Sequence, residues 1–138
     1  TISNYEVTLD PLTKGFVTGL IHKNSKHEKN AVYFLYPSFC GACTDSVMKF
    51  IGGLPLKSFN PIYILPISDS LKKEHREFIR KGIFYVDPYE IGRHGLEEAT
   101  NQLFVFDDTV CIYHASISYQ TIGRVKMEIQ LLDSIYNN

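Results

Sequence analysis

A chain of 138 residues, 44% hydrophobic and 21% charged, is long enough to bury a core without disulfide staples, and one domain spanning 1–138 is expected. Its formal net charge is −1, with acids and bases interspersed, so it lacks the basic footprint of nucleic-acid binding and no nucleic-acid partner is expected. No segment approaches the ~18 consecutive apolar residues of a membrane span. The chain opens at Thr1 without an initiator Met or a leader, from which a mature or trimmed form is expected, its targeting segment removed.

The first 30 residues read as an N-terminal extension and a first helix. "YEVTL", residues 5–9, alternates weakly and fits a short strand or an extended lead-in. Asp10 followed by Pro11 is an N-cap with proline at the first helical position, and Leu12, Phe16, Leu20 and Ile21 recur at helical spacing, which predicts a helix over 11–23. A polar connector, 23–30, follows, with His22 and His27 expected as plain surface residues. "AVYFLY", 31–36, is continuously apolar and β-favouring, the pattern of a central strand covered on both faces.

A helix is predicted to run to Ile51, with Val47, Phe50 and Ile51 on one stripe and "GGLP" ending it. "PIYILPI", 61–67, is a second buried strand. Asp69 or Ser70 can cap the charged helix that closes at Gly82. "IFYV", 83–86, is a short strand before a turn-rich stretch. "QLFVF" and "TVCIYHA" flank the turn pair Asp107 and Asp108 as an antiparallel hairpin. Ile122, Val125, Ile129, Leu132 and Tyr136 mark an amphipathic C-terminal helix over 120–136. The core order β, α, β, α, β, β, α implies an α/β fold, with parallel strands first and a hairpin near the end.

Between the first central strand and its helix stands "FCGAC", residues 39–43. A Cys-x-x-Cys pair is redox-competent when its first cysteine sits at a helix N-terminus, where free N–H groups and the helix dipole stabilise a thiolate. Its second cysteine then lies one turn on, within disulfide range. In that arrangement Cys40 is the exposed nucleophile and Cys43 the resolving thiol. The same spacing also occurs as half of a zinc site, but only Cys111 and five histidines remain as further ligands, with no second close pair. A static crosslink closing so short a loop would constrain the unfolded chain little. Neither a metal nor a cofactor is expected.

"LYPSFCGACTDSVMKF" resembles the aromatic-x-aromatic-Cys-Gly-x-Cys segment of thioredoxin-like proteins, with Tyr36 and Phe39 standing where those proteins have tryptophan or phenylalanine. "FYVDPYEIGRHGLEEATNQLFVFDD", 84–108, is similar to the later part of the redoxin branch, the extracytoplasmic thiol–disulfide oxidoreductases. The resemblance implies a thioredoxin-like three-layer fold: a central mixed sheet, a C-terminal hairpin and helices on both faces. It also implies disulfide exchange with protein substrates and a redox partner protein. Cys40 and Cys43 would be catalytic, and Tyr36, Phe39, Gly41, Ala42, Thr100 and Asn101 would line a substrate groove. The implied location is extracytoplasmic, periplasmic or tethered to a membrane through a removed N-terminal segment, with the cytoplasm as alternative.

The sequence departs from that pattern in three places. Where relatives carry a cis-proline before the hairpin strand, it has Asn101, or Thr100 in a shifted register. Phe34 lies near the position of the buried carboxylate of thioredoxins, and Ser46, beside Asp45, replaces the glutamate three residues after the second cysteine. Asp45 is either a proton acceptor for Cys43 or a helix-start residue, and as an anion it would oppose the thiolate.

Outside this segment, Cys111 is expected as a buried, inert thiol, and strand alternation puts His114 on the opposite face. His94, in "GRHG", is expected to be solvated. Two further functions compete with disulfide exchange. A thioredoxin-like scaffold that holds a partner or a metal without turnover is favoured by the missing proline. A peroxiredoxin-like peroxidase is suggested by "YP" and the "CT" at Cys43, although the threonine such enzymes place three residues before the reactive cysteine is Cys40 here.

Overall fold

The computed structural model describes residues 6–35, 47, 49–51, 53–66, 83–86 and 101–137. Helix α1, Pro11–Asn24, begins at the Asp-Pro pair. The Asp10 carboxylate accepts from the N–H groups of Leu12 at 3.1 Å and Thr13 at 3.4 Å, satisfying donors that a helix start leaves without partners, and Pro11 has no N–H to satisfy. At the other end the Ser25 N–H donates to the Ile21 carbonyl at 2.8 Å.

The buried stripe of α1 is Thr13, Val17 and Ile21, so of the expected Leu12, Phe16, Leu20 and Ile21 only Ile21 lies on it. Leu12 is 62% exposed. Both stripes have a spacing of four and lie 100° apart around the helix, so spacing alone does not choose between them. The packing chooses the stripe whose three side chains are all β-branched. Phe16 and Leu20 border the core, and the Phe16 ring lies 6.2 Å from that of Phe34.

Five strands follow among the described residues: β1 Lys29–Phe34, β2 Asn60–Pro66, β3 Ile83–Val86, β4 Asn101–Asp107 and β5 Val110–Ile117. They form one mixed sheet in the order β3-β2-β1-β4-β5. The pairs β1–β2 and β2–β3 are parallel, whereas β1–β4 and β4–β5 are antiparallel. "IFYV" thus joins the sheet as an edge strand. The lead-in is not a strand: residues 6–10 have no regular structure, and the Val7 N–H is tied to the Cys111 carbonyl at 2.7 Å.

The hairpin turn is Asp108 and Thr109, one residue later than expected, because Asp107 still pairs with Val110. Asp108 has φ 56°, a left-handed conformation that its short polar side chain tolerates. Its N–H donates to the Glu28 carbonyl at 2.7 Å, joining the hairpin to the start of β1.

Alternation along β1 divides the core in two. Val32 and Phe34 meet α1, together with Ile62, Ile64, Phe104 and Phe106. Ala31, Tyr33 and Leu35 face the other way, toward Val47 and Ile51, which are helical, and toward helix α2, Ile122–Tyr136. The chain is therefore α/β, with helix on each face of the sheet. Helix α2 buries Val125, Ile129 and Leu132 as its spacing predicts, and it also buries Asp133. The predicted charged helix ending at Gly82 lies outside the described residues.

Candidate functional site

The two ends of the sheet differ in chemistry. At the start of β1, Asn30 is fully buried and its side chain is bonded at both atoms. Its Oδ1 accepts from the Ser25 hydroxyl at 2.6 Å and from Asn60 Nδ2 at 3.3 Å, while its Nδ2 donates to the His27 carbonyl at 2.8 Å. Nearby, a cleft of about 450 Å³ is lined by Thr18, His22, Ser25, His27 and Asp108 among others. Both histidines are exposed, as the sequence predicts.

At the opposite end β1 finishes in Phe34, followed by Leu35, both buried, and the Leu35 N–H donates to the Ile64 carbonyl at 2.9 Å. The chain then enters the segment that carries the candidate dithiol. Tyr36, Phe39, Cys40, Gly41, Ala42, Cys43, Asp45, Ser46, His94 and Thr100 all lie outside the described residues. Asn101 lies within them. It opens β4, half-buried, opposite Ile117 of β5, and no cis peptide bond occurs among the described residues.

Beside Asn101 the structure shows a polar pair that the sequence reading did not single out. Gln102 is buried and lies across from Phe34, the last residue of β1. Its Oε1 meets His114 Nε2 at 2.9 Å, and the imidazole stacks on Phe104 with ring centres 4.2 Å apart and planes 8° from parallel. The available signal was a glutamine in "NQLFVF" in alternation with Phe104 and Phe106, which marks a polar residue on a core-facing row.

Cys111 is buried and free, with its Sγ 3.4 Å from the Tyr113 carbonyl. Burial pushes its thiol up to about 11, so it stays protonated at neutral pH, as expected of an inert core cysteine. Its relation to His114 corrects the expected alternation. A bulge shifts the β4–β5 register between Val105 and Phe106, so that Val105 pairs with Tyr113 but Phe106 pairs with Cys111. The extra residue, Ile112, turns to the α2 side. Cys111 and His114 therefore share the α1 face, packed with Phe106 and Phe104. No group of three or more His, Cys, Asp or Glu that could hold a metal ion comes together among the described residues.

Partial burial lowers the His114 pKa below its ordinary value. The folded chain then holds this proton less readily than the unfolded chain does, so stability present above that range declines as pH falls through about 6.5. The expected loss is small, because the residue is exposed enough for solvent to screen it. Urea unfolding between pH 8 and pH 5 is expected to show a shallower pH slope in His114→Gln than in the parent chain. Equal slopes would remove His114 as the source.

No family model, curated protein or solved structure matches the chain. No helix among the described residues is long and apolar enough to cross a membrane.

Proposed function

We propose that the chain is a thioredoxin-like thiol–disulfide oxidoreductase of the redoxin type, exchanging with protein disulfides through Cys40 and Cys43. The observation that carries this reading is where the pair falls relative to the sheet. Cys40 comes six residues after Phe34, which ends β1, and Cys43 comes four residues before Val47, which is helical and buried. At ~3.6 Å per residue the connector limits how far Cys40 can be from the end of that strand to roughly 22 Å. β1 has a parallel neighbour on one side and an antiparallel one on the other. In open α/β sheets the crevice beyond the carboxyl ends of the strands, where the connections change sides, is the usual ligand site.

In the proposed reaction the Cys40 thiolate attacks one sulfur of a partner disulfide. A mixed disulfide forms as the partner's bond breaks, and the partner's other sulfur leaves as a thiolate and takes up a proton. Cys43 loses its proton to Asp45 or solvent and attacks the Cys40 sulfur, releasing the partner's second thiolate. Two electrons have then passed to the partner, and the Cys40–Cys43 disulfide awaits reduction by a redox partner protein. Run in reverse, the cycle oxidises a dithiol. Tyr36, Phe39, Gly41, Ala42, Thr100 and Asn101 would form the substrate groove, and the reading carries with it an extracytoplasmic location.

The test is insulin reduction with a small-thiol donor, comparing the parent chain with Cys40→Ser. A loss of at least ~10³-fold is expected, since serine supplies no thiolate at neutral pH. Equal activity would overturn the proposal. Asn101, where relatives have proline, favours a second reading in which the scaffold holds a partner or metal without turnover. Reversible redox titration of the pair supports exchange, whereas stoichiometric metal uptake by anaerobically purified protein supports the holding role.

A further inference from the structure

We draw no further inference here: the strongest candidate, the exposed apolar stripe of Met127, Leu131 and Ile135 along α2 with the cleft of about 200 Å³ between that helix and β5, carries nothing because nothing in the structure shows what covers it.

Discussion

Phe34→Ala is expected to lower the free energy of unfolding by about 3–5 kcal/mol, the range for deleting a large aromatic from a packed core. Phe34 is fully buried where three elements meet: it ends β1, lies 6.2 Å from Phe16 of α1, and takes an edge-on contact with Phe104 of β4 at 5.7 Å. None of these neighbours can collapse into the vacated volume without abandoning another contact, since Phe104 also supports the His114 ring. Domains of this size have ~5–15 kcal/mol in hand, so the variant should be folded but much weakened. Urea titration should show a lower midpoint with an unchanged slope, and Phe34→Leu should lose less than half as much. A loss below ~1 kcal/mol in the alanine variant would mean that the end of β1 is not packed as described.

Asp133→Ala should be nearly as damaging, by about 2–4 kcal/mol, through hydrogen bonding and not volume. The carboxylate is buried on α2 and accepts from the Lys57 N–H at 3.0 and 3.1 Å and the Ser58 N–H at 2.8 Å. The Ser58 hydroxyl donates to the Asp133 carbonyl at 2.9 Å. This cluster fastens the turn before β2 to a helix 75 residues away in sequence. Alanine removes a charged acceptor from two backbone donors that have no other hydrogen-bond partner among the described residues, and such bonds are about twice as strong as neutral ones. Asp133→Asn should retain part of the effect. Amide exchange at Lys57 and Ser58 should accelerate in Asp133→Ala beyond what global destabilisation explains; protection equal to that of Phe34→Ala at matched stability would refute the role.

Much of the sheet was legible because its strands are buried on both faces: "AVYF", "PIYIL" and "LFVF" are apolar at consecutive positions, which a helix facing solvent cannot be. Helix α1 was legible from its cap but not in its rotation, since Leu12/Phe16/Leu20 and Thr13/Val17/Ile21 have the same spacing and only the sheet beneath tells them apart. The bulge at Ile112 was invisible, because a bulge is a property of two strands in register. The same holds for Gln102 with His114 and for Asp133 with residues 57 and 58, whose partners are brought together only by the fold. The candidate dithiol was legible as a motif, and of the residues assigned to it only Asn101 falls within the described part of the molecule.

Asn30 gives the sheet its alignment. A buried carboxamide that can be satisfied only by Ser25, His27 and Asn60 acts as a key: sliding β1 by one position against β2 would strand both of its polar atoms in an apolar interior. That key turns at the N-terminal end of β1, the central strand of the sheet. The alignment of the central strand is thus set by polar partners at its N-terminal end, while the apolar Phe34 and Leu35 close the other end.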